Sequence, residues 1–405
     1  MYIPGFFPLA SALLNRTLHA GLPAPVLEQV ADNLWHSAKK SWEVGVMAEA
    51  LTEYNWPAYS VFGSAAFPPP GALNTSAPPG ALNTSALPGT PNASALADVR
   101  HIVDTVLAAK APGTLTLFAD DSAGDPASLG CAVLLANWTR ADTADGAYAR
   151  AAADQLAYLL DHAPRTAEGA ISHRTDEVQL WADSVYMVPP FLAYYGALQG
   201  GAAGAALLQA AYDQIRLYRA ALADAGLWRH VRYGAWEDGT HWATGNGWAA
   251  AGMMRVLRTM NGTAQGADFG AQQADLASWI RETLDAVWVH QKPNGTLYNT
   301  LDDGASFADS AATALLAATT YRMAAFDGDA LDGAALDGAT RRTRAADRAL
   351  ALVAASTGAD GWLARVVDPY TFAAGGARSP EAQAFVLLLH AARRDYAAQL
   401  GAPAA

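Results

Sequence analysis

The sequence predicts an all-α protein, an (α/α)6 barrel built from six helical hairpins. Apolar residues recur at helical spacing over twelve segments, whereas period-two alternation is limited to short pieces such as Thr114–Phe118. The segments also alternate in character, since every second one is small and apolar while the others are longer, more charged and amphipathic. A ring of six buried helices inside six amphipathic helices accounts for this alternation.

The predicted helices are placed by apolar spacing, as in the first, where Val26, Val30 and Leu34 recur. Pro189 and Pro190 are expected to bend the sixth. In order, the helices are Pro23–Lys40, Trp42–Tyr54, Leu96–Ala111, Asp125–Trp138, Asp145–His162, Trp181–Gly196, Ala202–Ala225, Trp242–Met260, Ala267–Gln291, Ala308–Phe326, Gly338–Ser356 and Pro380–Leu400.

The even-numbered helices open with unusual polar or aromatic residues. These are Trp42, Glu43, Asp125, Trp181, Asp183, Trp242, Asn246, Asp309, Ser310, Ser379, Glu381 and Gln383. Because the starts of the inner helices meet at one end of such a barrel, this pattern predicts a single polar cavity there.

Composition and charge limit the partners of the chain. Its 405 residues are 52% hydrophobic, and we interpret residues 1–405 as one catalytic barrel domain. The net charge of -12 argues against nucleic acid, so an anionic substrate needs a local cationic or donor-rich site. No apolar run is long enough to span a membrane. Cys131 is the only cysteine, which excludes an internal disulfide and a cysteine-based metal site and predicts a buried thiol.

One segment, at about 67–95, interrupts the helical pattern. It is rich in Pro, Gly, Ser and Asn and contains PGALNTSA twice, so we predict an exposed, glycosylated surface insert, with a recognition arm as the alternative. The apolar opening PGFFPLASALL is short and lacks a basic region, so we expect any secretion signal to have been removed upstream. An excess of glycosylation sequons predicts a secreted eukaryotic glycoprotein modified at Asn15, Asn74, Asn83, Asn92, Asn137, Asn261 and Asn294.

The segment Ile171–Tyr195 carries the first candidate for chemistry. Its polar beginning, with His173 and Arg174, runs into an aromatic helix start at which Trp181 precedes Asp183. A carboxylate among aromatic side chains is costly to ionise, so its pKa should rise into the range useful for proton donation. The alternative is that Asp183 caps the helix, a role worth about 0.5–2 kcal/mol.

Tryptophans cluster at or near the starts of the even-numbered helices. An aromatic ring stacks on the apolar face of a sugar, so the cluster indicates a carbohydrate cavity, although core packing is the alternative for each ring taken singly. The six are Trp42, Trp181, Trp228, Trp236, Trp242 and Trp248.

The segment Gly226–Trp248 is the second dense motif. Gly245 and Gly247 allow the backbone to approach a ligand closely. The spacing matches no established metal motif, and no GxSxG sequence marks a nucleophile, which leaves a carbohydrate pocket as the favoured interpretation. Its candidate side chains are His230, Glu237, Asp238, His241, Trp242, Thr244, Asn246 and Trp248.

Five motifs together resemble glycoside hydrolase family 105, which is related to family 88: WADSVYMVPPFLAYYG, GLW-x-H, W-x-x-GNGW, FADSAATAL and SPEAQAFVLL. The similarity runs from about Trp42 to the C-terminus and is broken by the insert. These families are unsaturated rhamnogalacturonyl and glucuronyl hydrolases on a six-hairpin (α/α)6 barrel. The resemblance implies removal of a terminal 4,5-unsaturated uronic acid from a pectin-derived oligosaccharide, without a metal or organic cofactor.

The resemblance also implies roles for individual residues. Asp183 matches the general acid/base in W-x-D-x-x-Y-M, and Asp125, which opens DPASLG, is the best match to the second active-site carboxylate. The expected substrate-binding residues are His230, Trp242, Thr244, Trp248, Trp181, His173 and Trp42.

The match fails at Thr244, which stands where the family motif usually has an Arg that helps to form the uronate pocket. One hypothesis is that His173, Arg174 or His241 supplies a substitute cation. A hydrolase of another terminal sugar and a non-catalytic carbohydrate-binding barrel are the alternative functions.

Overall fold

The computed structural model describes residues 21–63, 67–69, 96–140, 142, 144–328 and 332–401. Within these ranges the chain forms twelve α-helices, and each predicted helix overlaps one of them. They are α1 Ala24–Ser37, α2 Ser41–Asn55, α3 Ala97–Ala109, α4 Gly130–Thr139, α5 Ala147–Ala157, α6 Ser184–Gln199, α7 Gly201–Leu222, α8 Ala243–Gly262, α9 Gly270–Trp288, α10 Ser310–Asp327, α11 Gly333–Ser356 and α12 Pro380–Gln399.

The even-numbered helices close into an inner ring. Helices α4, α6, α8, α10 and α12 contact one another in that order, and α2 contacts both α12 and the 3-10 turn Asp125–Leu129 that leads into α4. The inner helices are buried on nearly all sides: 13 of the 16 residues of α6 are buried, against 9 of the 24 residues of the outer helix α11. The predicted (α/α)6 barrel is confirmed.

Small residues let the inner helices approach one another closely. A Cβ atom at Gly252 of α8 would lie 2.1 Å from the carbonyl oxygen of Val185 in α6. A Cβ atom at Gly45 of α2 would lie 1.9 Å from the Oγ of Ser128. Backbone therefore packs against neighbouring helices where a side chain would not fit, which explains the small-residue character of the inner ring.

Short β-ribbons join the hairpins and precede several inner helices. Eight two-residue strands form four antiparallel pairs: β1 Leu180–Trp181 with β4 Val231–Arg232, β2 Ala223–Asp224 with β3 Leu227–Trp228, β5 Leu297–Tyr298 with β6 Ala308–Asp309, and β7 Val366–Val367 with β8 Gly375–Gly376. The strand suggested at Thr114–Phe118 is wrong. Its Leu117 N–H donates to the side chain of Gln155 instead of to a neighbouring strand.

The insert predicted at about 67–95 falls mostly outside the described residues, as do Asn15, Asn74, Asn83 and Asn92. Its first residues are packed and not exposed, because Phe67 is buried against Tyr194 with ring centroids 4.7 Å apart. The carbonyl of Pro69 also accepts a hydrogen bond from the indole of Trp138 at 2.9 Å.

Two further expectations concern the described residues. The thiol of Cys131 is buried and free, as predicted from its apolar surroundings. In the same part of the chain, no helix has both the length and the apolar character needed to cross a bilayer.

Candidate active site

Asp183 and His230 are brought together by the pairing of β1 with β4. Trp181 lies opposite Val231 in this ribbon, and the Ala182 N–H donates to the carbonyl of His230 at 2.9 Å. Asp183 lies two residues after β1, at the N-cap position of α6. The two motifs that the sequence singled out are therefore one continuous wall at the mouth of the barrel.

Three side chains in this wall lie in a row, with the imidazole of His230 between the carboxyls of Asp183 and Asp238. The Oδ2 of Asp183 lies 3.6 Å from the Nε2 of His230, and the Nδ1 of His230 lies 2.9 Å from the Oδ2 of Asp238. His230 is buried, and a carboxylate at its Nδ1 favours the tautomer that donates from Nδ1 and leaves Nε2 facing Asp183. Neither the Nε2 of His230 nor the Oδ2 of Asp183 has a hydrogen-bond partner.

The environment of Asp183 suits proton transfer better than helix capping. Its side chain is only 13% exposed, and burial raises its pKa although the nearby His230 opposes the shift. Asp183 occupies the N-cap position of α6, yet its side chain makes no capping hydrogen bond. The capping interpretation is therefore wrong, and one carboxyl oxygen is left free to meet a ligand.

Asp125, which lies close enough to Asp183 to feel its charge, belongs to a second histidine–carboxyl pair. The Nε2 of His173 is 3.9 Å from the Oδ2 of Asp125, and its Nδ1 hydrogen-bonds with the Oγ of Ser184 at 2.8 Å. Burial raises the pKa of Asp125 well above its ordinary range, and the charges of Asp120 and Asp183 raise it further. Burial lowers the pKa of His173 to about 3, so this imidazole is neutral at physiological pH. Burial thus raises the pKa of both candidate carboxyls.

Aromatic rings separate and cover these pairs. The indole of Trp181 stacks on His173 at 4.7 Å and meets the ring of His230 edge-on at 5.2 Å. Trp242 lies 4.6 Å from His230 on the other side, and Phe372 lies 4.5 Å from the same imidazole. The reactive pair is therefore enclosed by apolar rings that lower the local dielectric constant and can stack on a sugar.

A second group of carboxyls completes the rim. Glu43 is wholly buried and accepts a hydrogen bond from the hydroxyl of Tyr370 at 2.9 Å. Tyr370 in turn contacts Trp42, with ring centroids 6.1 Å apart. Glu381 is also buried, and its Oε1 has no hydrogen-bond partner. These groups are contributed by α2, α12 and the loop between β7 and β8.

Two of the expected substrate-binding residues do not face the cavity. Trp248 is 1% exposed and packs between Tyr186 and Phe385, so it is a core residue. Thr244 is wholly buried and donates a hydrogen bond to the Oδ2 of Asp309 at 2.9 Å. Its hydroxyl is used inside the protein and is not available to a substrate.

Trp228 is likewise a core residue, with its indole N–H directed to Thr283. Trp42, Trp181 and Trp242 lie at the mouth as expected, and Trp236 is 43% exposed at its edge. The tryptophan cluster therefore divides into rim residues and core residues.

The hypothesis of a substitute cation is not supported. His173 is neutral because burial lowers its pKa, and Arg174 is held by Asp121 at 3.1 Å and by Asp176 at 3.4 Å. His241 is likewise engaged, with Asp302 2.7 Å from its Nδ1. Arg174 and His241 each have an acidic partner, and His173 carries no charge.

Several site residues received no role from the sequence. Asp238 stood among the candidate side chains but nothing in the motif indicated that it orients His230. Glu43, Glu381 and Asp309 were visible only as polar residues at the starts of inner helices. Phe372 comes from an irregular loop without periodicity. Within the described ranges, no three metal-ligating side chains converge as a metal site would require.

A helical barrel whose mouth holds buried carboxyls under aromatic rings is suited to acid–base chemistry on a carbohydrate. The family model for Glycosyl Hydrolase Family 88 matches residues 89–324, which is more than half of the chain, so the chain belongs to this family and is a hydrolase. The matched region includes Asp125, Asp183 and His230, whereas Glu43 and Glu381 lie outside it.

A curated relative is the unsaturated rhamnogalacturonyl hydrolase YesR of Bacillus subtilis, 26% identical over 188 residues. The alignment covers 43% of this chain and about half, 52%, of that relative. A possible GH105 member from Salmonella enterica has a TM-score of 0.70 at 16% identity, with 96% of this chain and 98% of that chain covered. An unsaturated glucuronyl hydrolase from Bacillus sp. GL1 has a TM-score of 0.59 at 14% identity, covering 91% and 94% of the two chains. Both structures have the fold found here.

Proposed function

We propose that this chain removes a terminal 4,5-unsaturated uronic acid from rhamnogalacturonan-derived oligosaccharides by hydrating the C4=C5 double bond. The observation that carries the proposal is the unpartnered Oδ2 of Asp183, which faces His230 beneath a cover of aromatic rings. Membership in Glycosyl Hydrolase Family 88 and the similarity to an unsaturated rhamnogalacturonyl hydrolase support this substrate class.

The chemistry differs from ordinary two-carboxylate glycoside hydrolysis, because the reacting group is an enol ether. Protonated Asp183 donates its proton to C4 as the π electrons move toward that carbon, and positive charge develops at C5, where the ring oxygen stabilises it. Water then forms a bond to C5 and loses a proton to ionised Asp183. The resulting hemiketal opens to a C5 ketone, and the hemiacetal at C1 expels the aglycone.

One carboxyl acts first as acid and then as base, so its pKa must lie near the working pH. Burial provides the upward shift at Asp183. His230, which is held by its contact with Asp238, orients the carboxyl of Asp183 and does not fix it in one protonation state. Asp125, whose pKa burial also raises, positions water or a sugar hydroxyl.

The aromatic rings provide the binding surface for the sugar. Trp181 and Phe372 flank the imidazole of His230, and Trp236 contacts both of these rings. The rings of Trp236 and Phe372 are nearly parallel, 6.3 Å apart at an angle of 10°. The apolar face of the planar unsaturated ring packs against such surfaces, while its double bond lies over Asp183.

The test follows the ultraviolet absorbance of the double bond in lyase-digested rhamnogalacturonan. Wild type should remove the absorbance, and Asp183→Asn should remove it roughly 10²–10⁴ times more slowly. Asp176→Asn is the matched control, because that carboxyl is 68% exposed and lies outside the pair with His230. Persistent absorbance with wild type, on rhamnogalacturonyl and glucuronyl products alike, would reject the proposal and favour another terminal sugar.

We propose further that the protein is secreted and N-glycosylated. Of the described sequons, Asn261 and Asn294 are exposed, whereas Asn137 is half-buried and its Oδ1 accepts a hydrogen bond from Arg140 at 2.6 Å. Mass spectrometry of the protein secreted from a eukaryotic host should find glycans at Asn261 and Asn294 before Asn137. An unmodified secreted protein would contradict the glycoprotein part of the proposal.

A further inference from the structure

A short hairpin of residues 233–237 extends the wall of the mouth beyond His230. Its two ends are joined by a pair of backbone hydrogen bonds, of 2.8 and 3.1 Å, between Val231 and Asp238. Asp238 also holds the imidazole of His230, so the hairpin starts beside the pair that moves the proton. Its first residue stands three residues from His230, or roughly 10 Å along an extended chain. The hairpin therefore lies within reach of the second sugar of an oligosaccharide whose first ring is at the reacting groups.

The hairpin carries two exposed aromatic rings. Five large apolar side chains of the described residues are exposed, and three of them are aromatic: Tyr233 at 39%, Trp236 at 43% and Tyr370 at 56%. Tyr233 and Trp236 belong to the hairpin, and Trp236 also reaches the mouth, with its ring 5.4 Å from that of Trp181. Neighbouring exposed aromatic rings beside a site are typical of a binding surface. Tyr233 has no part in the hydration mechanism.

The backbone of Tyr233 is strained. Its φ of 68° lies in the left-handed region, which a bulky residue rarely adopts. Gly234 follows in the same region at 77°, and a Cβ atom there would lie 2.7 Å from the Oε2 of Glu177. An asparagine or a glycine in place of Tyr233 would adopt this conformation at a lower energetic cost. Strain of this kind is concentrated at functional sites, where the surrounding structure enforces it.

Hydrogen bonds fix the hairpin in this conformation. The side-chain amide of Gln179 donates to the carbonyls of Trp236 at 2.8 Å and of Tyr233 at 3.3 Å. The carboxylate of Glu237 accepts a hydrogen bond from the Tyr233 N–H at 2.9 Å. Gln179 is wholly buried, and its Oε1 accepts from the indole N–H of Trp181 at 2.7 Å. One buried amide therefore sets the position of the hairpin relative to an aromatic ring of the site.

We propose that Tyr233 is the stacking surface for the neutral sugar that follows the unsaturated uronic acid, which is rhamnose in the proposed substrate. The inference rests on the proposed function and names the residue that recognises the aglycone. The guanidinium of Arg232 lies 5.4 Å from the centre of the Tyr233 ring and steadies it by a cation–π contact. The ring then packs against the apolar C–H face of the sugar. Tyr233 touches neither C4 nor C5, so it affects binding of the aglycone and not the proton transfer.

The experiment compares two substrates that share the unsaturated galacturonic acid, one linked to rhamnose and one to a methyl group. Both are followed by loss of the double-bond absorbance. Wild type should have the lower KM for the rhamnose compound. Tyr233→Asn should raise that KM about tenfold, with kcat unchanged, and should leave both constants for the methyl compound unchanged. Tyr233→Phe keeps the ring and should retain the wild-type KM.

Stability separates a binding role from a structural one. Because asparagine tolerates the left-handed region, Tyr233→Asn should melt at or above the temperature of wild type. If Tyr233 served only to hold the hairpin, the same variant would melt at a lower temperature and lose activity on both compounds. Val289→Ala is the matched control, because Val289 is an exposed apolar residue outside the hairpin, and it should change neither KM.

The outcomes distinguish this inference from the proposed function. Hydration of neither compound by wild type would reject the proposed function itself. Equal KM values for the two compounds in wild type would overturn the role of Tyr233 and leave the function standing, and this comparison needs no variant. An unchanged KM for the rhamnose compound in folded Tyr233→Asn would overturn it as well.

Discussion

The two ends of the inner ring bury charged side chains in opposite ways. At the mouth, oxygens of Asp183 and Glu381 have no hydrogen-bond partner. At the far end, Arg322 lies 2.6 Å from Glu53 and 2.5 Å from Asp395. The two groups are about twelve residues apart on their helices, which corresponds to roughly 18 Å along the barrel axis.

This difference indicates which buried charges stabilise the barrel and which are kept for a ligand. Burial alone would lower the pKa of Arg322, but Glu53 and Asp395 outweigh it and raise the pKa, so the arginine remains charged. Arg255 and Glu49 form a similar pair at 2.7 Å. Pairs of this kind bind the ends of α2, α8, α10 and α12 together. At the mouth, Asp183 and Glu381 form no such pair with a lysine or arginine of the described residues, which favours a functional role for them.

The largest expected effect is a loss of activity without a loss of stability on substitution at the mouth. Asp183→Asn should reduce activity by roughly 10²–10⁴ while the thermal unfolding midpoint stays at or above that of wild type, because a buried and unpaired acid is removed. Activity on the unsaturated oligosaccharide and a thermal melt of the same preparation check both parts. If Asp183→Asn unfolded at a lower temperature than wild type, Asp183 would be a stabilising charge like those at the far end, and the two ends would not differ in this way.

At the far end the expected pattern is reversed. Arg322→Met leaves the buried carboxyl of Glu53 without its cation, whereas Asp395 keeps Arg394 at 2.9 Å, and the loss should cost about 3–5 kcal/mol of unfolding free energy. Urea unfolding measures this loss, and activity per folded molecule should be unchanged. Arg216→Met is the control, because Arg216 is 51% exposed beside Asp213 and such a pair is worth about 0–1 kcal/mol. Equal costs for the two variants would contradict the stabilising role of Arg322.

The pH dependence of stability tests whether the buried carboxyl of Asp309, at the mouth, is protonated in the folded protein. It is wholly buried, and burial raises its pKa from 3.8 to about 6 despite the hydrogen bond from Thr244. The folded state therefore holds this proton more tightly than the unfolded chain, and its contribution to stability is complete below about pH 4 and lost as the pH rises through about 6.

Relative to wild type, Asp309→Asn should therefore gain stability between pH 4 and pH 7, by at most roughly 3 kcal/mol. Urea unfolding of both proteins over this range measures the gain. A stability difference that does not vary with pH would mean that Asp309 is ionised throughout and belongs with the paired charges.

The sequence was sufficient for the ring but not for the direction of each side chain. Apolar spacing and the alternation of helix character predict all twelve helices because burial on one side or on all sides leaves a direct pattern in composition. Trp242 and Trp248 stand in one motif, yet the turn of α8 directs the first to the mouth and the second into the core. Thr244 is turned to Asp309, a residue of another hairpin, and such a contact is not visible in local sequence.

The loop between β7 and β8 was the least predictable part of the site. Tyr370 and Phe372 cover the carboxyls, but the loop is irregular and its aromatic residues follow no period. Its position depends on long-range contacts, such as the side-chain amide of Asn299, which donates to the carbonyl of Phe372 at 2.9 Å.

The smallest predicted effect concerns Asp238, which touches His230 but not the reacting atoms in the proposed mechanism. In the folded protein burial alone would raise its pKa, yet the hydrogen bonds with His230 and Thr240 lower it, so the carboxylate is charged. Asp238→Asn removes this charge and lets the imidazole adopt the other tautomer, which should lower kcat by about tenfold, the equivalent of roughly 1.5 kcal/mol. KM should change little, and Asp238→Glu should recover part of the loss. A rise in KM with an unchanged kcat would instead make Asp238 a substrate-binding residue and place it with the rim and not with the pair that moves the proton.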